Sequence, residues 1–524
     1  MNFEMGKRFI ESLSDLRSGI DLTAVKENRD ISSPGLYEKF LELVAFYDAK
    51  TEENTINFFM ESKIQRMRNL FPYFFSVLPN RLLVKIKPKL QLLRPLPIHV
   101  GEKLAGYSFS PDASHERQNV YCENILENHV LPFECSKSWY DYDTKQVKIQ
   151  LAGPSPFVFD IDNFFLWINY TNDAIRSIYL YSLMKEAKIG TIEVSYNSGR
   201  NEVFDISTAT HAHYAVHPNT NIRMLLNSPE FSLNLNVVIK HFIKSDEPIS
   251  NMTVSLQVNP LIARYDLDKI FHVNYMPLLN MQTEFAEVIN YNAAEESYPL
   301  IHPQSDDFMP YFIRTVTYEA KEGSGKVQPE IFTTPPRGAS YRLVYESTLL
   351  NKRYRHIELN LPPDLLETQV NVQAEWTQLF EIDPHSLMLS FYNKQIGSFG
   401  IDPIIYKKFC DMTEFVSSGN ILGLLKLHNC SFLRLEDFKL LLHTLINSTS
   451  VAFPLIHDLL AVHVEQKEPY FCIYKLVFKE SDLKNQSLVE LLLNGLEHFL
   501  NSNLGFQRKC LCEAVFKVTK ASSS

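Results

Sequence analysis

The sequence predicts an α+β fold, elongated and divided into several subdomains, with a helical N-terminal segment, a β-rich middle and a mixed C-terminal region. Near the N-terminus, apolar residues recur every three or four positions. From about residue 80 they alternate with polar ones, and beyond a stretch rich in Gly, Pro and Thr both periods return. With 524 residues, 45% of them hydrophobic and 21% charged, the chain has material for more than one core.

Taken in order, Ser33 and Pro34 supply an N-cap and a first helical residue, and Leu36, Phe40, Leu43, Val44 and Tyr47 then share one helical face. A second acidic start, Thr51, Glu52 and Glu53, leads into a face of Ile56, Met60, Ile64, Met67, Phe71 and Phe75. Residues 1–80 are therefore read as the helical segment. Its apolar faces, with Leu36, Phe40, Ile56 and Met60 as candidate partner-facing residues, pack either on the chain's own core or in a bundle shared with another chain.

Residues 81–322 are read as a β-rich central domain. Val84 and Ile86 alternate with lysines, as do Val147, Ile149 and Leu151 with Lys and Gln. Ile192, Val194 and Tyr196 precede an Asn-Ser-Gly turn, and Met252, Val254, Leu256 and Val258 alternate with Thr, Ser and Gln. The exception is Asp173 to Met184, whose Ile175, Ile178, Leu180 and Leu183 suit a short helix. Residues 323–340 hold Gly, Pro and Thr in the pattern of a linker or exposed loop, and 341–524 a mixed α+β domain. In that last domain, strands are expected near 341–346, 357–361, 370–374, 472–478 and 512–518. Leu488, Leu492 and Leu496 form a helical face, a further candidate surface for a partner.

A formal net charge of −10 argues against a nucleic-acid surface, which needs clustered Lys and Arg. Seven scattered cysteines fit reduced thiols in a cytosolic protein. The N-terminal MNFEMGKRFIESLSDL lacks the pattern of a secretory signal, and no apolar run is long enough to span a bilayer, so no direct membrane insertion is expected.

Chemical motifs are sparse. In HAHYAVH, His211, His213 and His217 place two imidazoles on one side of an extended segment with a third nearby, a low-ranking metal candidate with no carboxylate in the cluster. Gly323-Ser-Gly-Lys326 lacks the spacing and the Ser or Thr of a phosphate loop. Cys510 and Cys512 share a strand face without completing a metal set, and no nucleophile elbow or HExxH is present. No catalytic residue, cofactor or enzymatic activity is expected. One further stretch, FHVNYMPLLN, sets Pro277 between Asn274 and Asn280 inside an apolar run. Proline lacks a donor and disfavours a central strand, so this reads as an edge, a bend or a connection tied by the two asparagines.

Several segments occur in a telling order. LYEKFLELVAFYDAKTEENTINFFMESKIQRMRNLFPYFFSVLPN holds Ala45-Phe46 and Phe71-Pro72. FVFDIDNFFLWINYTNDAIRSIYLYSLM holds Ala174, Tyr179 and Leu180. FHVNYMPLLNMQTEFAEVI holds Asn274, Pro277 and Asn280, and is followed by PYFIRTVTYEA and the terminal SLVELLLNGLEHFLNSNLGFQRKCLCEAVFKV. Together they resemble the TssF (VasA/ImpG) family, the baseplate wedge subunit of the bacterial type VI secretion system. Tyr275 stands where that family usually has cysteine, and Leu493-Asn494-Gly495 where it has Leu-Phe-Gly, which marks a divergent member.

The resemblance implies a non-enzymatic, cytoplasmic wedge subunit, docked at the inner-membrane secretion complex. Two copies would assemble with one TssG-like partner around the spike hub, in contact with a TssK-like adaptor and a TssE-like sheath initiator. It would support sheath assembly and effector delivery, as in contractile phage tails. Two other readings stay open on the residues: a cytosolic metal-dependent enzyme using the His cluster, and an unrelated phage-tail-like structural adaptor.

Overall fold

A computed structural model describes Val44 and residues 77–517 other than 89–91, 111–115, 211–213, 242–245, 293, 321–322, 331–337, 346–354, 363–364, 366–367, 393–398, 410–432, 469–470, 481 and 504–508. The chain divides into two compact units. The first, Met1–Phe71 with Ile331–Thr334, lies outside the described residues apart from Val44, and so do the expected helical faces with Leu36, Phe40, Ile56 and Met60. All that follows concerns the second unit, Pro72–Glu330 with Pro335–Ser524.

β-Sheet dominates this unit, so the α+β class read from sequence, with its β-rich middle, is corrected toward a mostly β fold. A six-stranded sheet runs in the order Met388–Phe391, Lys103–Phe109, Arg117–Asn124, Tyr275–Leu279, Arg81–Pro88 and Phe399–Lys407. It curls so that its two end strands approach each other around a core that includes Leu82, Val84, Leu104, Val120, Met276 and Leu278. Gly106 permits the approach of the outermost strand, since a Cβ there would lie 1.7 Å from the Met388 carbonyl oxygen.

A second, eight-stranded sheet collects the alternating segments legible in sequence, Gln146–Phe157, Ile189–Tyr196 and Ile249–Gln257, with Glu134–Asp141, Asn163–Ile168, Asn201–Thr210, Asn234–Ile239 and Phe271–His272. Gly199 takes the positive φ of +86° that the Asn-Ser-Gly turn requires. The third sheet contains Met281–Phe285, Gln369–Gln378, Phe308–Ala320, Gly323–Pro329, Ser340–Tyr345 and Arg355–Asn360.

Two boundaries change. Gly323–Pro329, expected within a linker, is a strand paired with Phe308–Ala320, with Val327 turned into the core. Local glycine content lost to a hairpin partner that buries one face. The strands at 388–407, expected in a separate C-terminal domain, complete the first sheet.

Helix α1 (Ala174–Met184) starts where expected, its Asp173 cap accepting from the Arg176 N–H at 3.0 Å. Helix α2 covers Pro218–Asn227, α3 Leu435–Leu445 and α4 Leu455–Asp458. The 21-residue helix α5 (Leu483–Asn503) links strands Phe471–Lys479 and Lys509–Lys517, which pair in parallel, as a strand-helix-strand crossover requires. Leu488, Leu492 and Leu496, expected to face a partner, are 3%, 3% and 0% exposed. They are enclosed by the chain itself, because α5 lies against α1, α2 and the last strand. Gly495 sits where α5 meets α2; a Cβ there would be 2.9 Å from Leu226 Cδ2.

Candidate functional site: a three-sheet junction

The segment FHVNYMPLLNMQTEF passes through all three large sheets in succession. Phe271–His272 pairs with the second, Tyr275–Leu279 with the first, and Met281–Phe285 with the third. Asn274 occupies the first switch between ladders and Asn280 the second. The strand between them is buried at every position, because alternate residues feed two cores: Met276 and Leu278 one, Tyr275 and Leu279 the other. That two-sided burial explains an apolar run without alternation.

Pro277 therefore lies inside a sheet, between Arg81–Pro88 and Arg117–Asn124, which corrects the expected edge or bend. The alternation of antiparallel ladders explains its tolerance. Toward Arg81–Pro88 the bonding positions are even: the Asn274 carbonyl accepts from Ile86, and the Asn280 N–H donates to Asn80, each at 2.9 Å. Position 277 thus turns its backbone the other way, toward Ile125, whose N–H donates to the Pro277 carbonyl at 3.4 Å. An N–H at 277 would have sought the Ile125 carbonyl, and that oxygen already accepts from Ala215 at 2.8 Å. Proline leaves no donor idle there.

Asn274 adopts φ +62°, a left-handed conformation that asparagine tolerates better than most residues. Its Oδ1 accepts from the Leu131 N–H at 2.7 Å, and its Nδ2 donates to the Leu131 and Phe133 carbonyls at 3.1 and 3.3 Å. Asn280 is wholly buried. Its Nδ2 donates to the Tyr121 carbonyl at 2.7 Å and to Gln378 Oε1 at 2.8 Å, while its Oδ1 accepts from Asn80 Nδ2 at 3.1 Å.

Gln378 extends the pattern, accepting from the Tyr121 N–H at 3.1 Å and donating to the Asn119 carbonyl at 2.9 Å. Asn80 Oδ1 accepts in turn from the Tyr406 hydroxyl at 3.0 Å and the Phe409 N–H at 2.8 Å. Asn80, Gln378 and Tyr406 belong to the junction and were not singled out from sequence. An isolated buried amide looks like any surface amide until its partners, which here lie 98 to 329 positions away, are known.

Beside the amides lies a cluster of charges. Glu123, 9% exposed, accepts from the Thr283 N–H at 3.0 Å, which crosses from the first sheet to the third. Lys103, opposite Glu123 in its ladder, is paired with Glu284, and Arg314 is paired with the 7%-exposed Glu375 at 2.8 Å. Burial pushes the Glu123 carboxyl up to about 6, with Thr283, Lys103 and Arg314 opposing and Glu375 reinforcing. Burial likewise raises Glu375, against the pull of Arg314. Nearby His302 stacks on Phe308 with ring centroids 4.0 Å apart, and burial pushes its imidazole down to about 4.

Of the three histidines in HAHYAVH, His211 and His213 lie outside the described residues. His217 is half-buried and stacks on Phe312 with centroids 6.4 Å apart, so desolvation lowers its pKa. Among the described residues, no group of three or more His, Cys, Asp or Glu side chains could hold a metal ion. Cys510 and Cys512 are buried on the same face of their strand, with Cys472 opposite Cys510. Tyr275 stacks on His272 with centroids 5.0 Å apart and planes 6° from parallel.

No protein-family model and no curated protein matches the chain. Solved structures do. A chain of the type VI secretion system TssK-TssF-TssG baseplate subcomplex, determined by cryo-electron microscopy, is similar at 13% identity and a TM-score of 0.66, over 92% of this chain and 96% of that one. A chain of the baseplate complex from the type VI secretion system is similar at 12% identity and a TM-score of 0.59, over 98% of this chain and 97% of the other. At such identities the likeness is one of fold, and it extends over nearly the whole length of both partners. This chain is thus built like a chain of type VI secretion baseplate complexes.

Proposed function

We propose that the protein is a TssF-type structural subunit of a type VI secretion baseplate wedge. The observation that carries this reading is the end-to-end fold likeness to chains of baseplate complexes. The N-x-x-P-x-x-N motif of the sequence resemblance, placed at the two switches between sheets, supports it. Asn274, Pro277 and Asn280 act as architecture, and the protein's work is assembly rather than catalysis. Two copies join one TssG-like subunit, and the wedge meets a TssK-like adaptor, a TssE-like sheath initiator and the spike hub. This places it in the cytoplasm at the inner-membrane secretion complex. No helix among the described residues is long and apolar enough to cross a membrane, which is compatible with a peripheral position.

With Leu488, Leu492 and Leu496 enclosed by their own chain, the Leu36, Phe40, Ile56 and Met60 faces are the remaining proposed bundle surface. Co-expression with a TssG-like subunit, followed by mass measurement of the purified complex, tests the reading. Two copies of this chain per partner are expected. Separate elution of two folded proteins would overturn it.

A further inference from the structure

The seam between the first and third sheets contains three carboxylates, Glu123, Glu284 and Glu375, and two cations, Lys103 and Arg314. Both cations are committed: Lys103 to Glu284 and Arg314 to Glu375. Glu123 is left with a backbone donor, the Thr283 N–H. Thr283 stands opposite Glu375 in its own ladder, so the carboxylate without an ion-pair partner is held beside the strand that carries another. A buried carboxylate lacking a cation in contact favours its neutral form, and a second acid nearby adds to that preference. Its position matters as much as its charge, since the Thr283 bond ties the first sheet to the third.

We propose that Glu123 is a proton-binding site that couples the seam between the first and third sheets to pH, the seam being tighter with the proton bound than without it. A folded-state value raised from 4.5 to about 6 agrees with this. The sign follows from linkage. The folded state binds the proton more tightly, so its contribution is full below about 4.5 and is lost as pH rises through about 6. At neutral pH the seam then holds an ionised, poorly compensated carboxylate. Such a seam is a place where sheets part with less effort.

Charged groups acting on Glu123 come from the neighbouring strands: Lys103 from Lys103–Phe109, itself paired with Glu284 of Met281–Phe285, Arg314 from Phe308–Ala320 and Glu375 from Gln369–Gln378. His302 faces Lys103 and Glu284, and its lowered pKa gives a pH dependence of opposite sign. The test must therefore compare variants at each pH. Hydrogen exchange of seam peptides in the full chain, corrected for intrinsic exchange, is measured from pH 5 to pH 8 for the wild type, Glu123→Gln and Glu375→Gln.

The shift corresponds to about a 30-fold change in the opening equilibrium. Between pH 5 and pH 8 wild-type seam protection relative to Glu123→Gln is expected to fall about 8-fold, the part of that change that lies above pH 5. Glu375→Gln, which removes a neighbouring acid, is expected to move the fall to lower pH and remains informative if Glu123→Gln does not fold. Parallel profiles for wild type and Glu123→Gln, or an unmoved profile in Glu375→Gln, would overturn the proposal.

Discussion

Removing the Asn280 amide should be among the most damaging conservative changes in this fold, and the cost follows from its partners. Tyr121 turns both backbone groups away from its ladder partner Ala105, giving its N–H to Gln378 and its carbonyl to Asn280. In Asn280→Ala that part-buried carbonyl loses its side-chain donor, which costs about 1–3 kcal/mol. Gln378 Oε1 keeps the Tyr121 N–H and Asn80 Nδ2 keeps the Phe380 carbonyl, so each loses a bond without being stranded, at roughly 1 kcal/mol apiece.

The expected loss is about 3–5 kcal/mol. Asn280→Asp preserves shape but sets an acceptor against the Tyr121 carbonyl and Gln378 Oε1, and should be worse at neutral pH. Urea unfolding followed by tryptophan fluorescence is the assay, Trp376 lying opposite Gln282 in the adjoining ladder. A loss below about 1 kcal/mol for Asn280→Ala, or an Asp variant as stable as the wild type, would refute this reasoning.

Three other changes test separate parts of the structure. Pro277→Ala should cost about 1–3 kcal/mol, because the carbonyl that accepts from Ile125 is kept while a new buried N–H faces the Ile125 carbonyl that already accepts from Ala215; a loss below about 0.5 kcal/mol in the same urea assay would contradict the ladder phase assigned above. Gly106→Ala places a Cβ against the Met388 carbonyl and should release strand Met388–Phe391, visible as faster hydrogen exchange confined to that strand. Leu496→Ala should destabilise the isolated chain by about 2–5 kcal/mol, read by thermal unfolding, since its side chain is fully buried within the chain itself, on the helix that lies against α1, α2 and the last strand.

The alternating segments 147–151, 192–196 and 252–258 were legible because one face of each meets a core, and the Asp173 cap announced its helix. Long-range pairing was not legible. Gly323–Pro329 has the composition of a loop, and only the hairpin with Phe308–Ala320 makes it a strand. The leucines of α5 carry an apolar helical face, but period alone does not say whether that face meets its own chain or another. Glu123, in RQNVYCEN, has the look of an ordinary solvated strand residue until Thr283 is brought against it. Pro277 is the sharpest case. Whether a missing N–H matters depends on which carbonyl it faces, and that was decided by Ala215.

The two asparagines follow from the same accounting. A chain that leaves one sheet for another interrupts two ladders, and the strands left behind keep peptide groups that need a donor and an acceptor. A carboxamide carries both, in nearly the geometry of a peptide group. At the first switch the Asn274 amide bonds the N–H and carbonyl of Leu131 as a neighbouring strand would. At the second, the Asn280 and Gln378 amides satisfy Asn119 and Tyr121 where Met281 has departed into the third sheet. Aspartate would lack the donor and serine the reach. The spacing between Asn274 and Asn280 is therefore the length of one strand, Tyr275–Leu279, and a single residue inserted within it would turn Met276 and Leu278 out of their core and carry one amide away from its peptide groups.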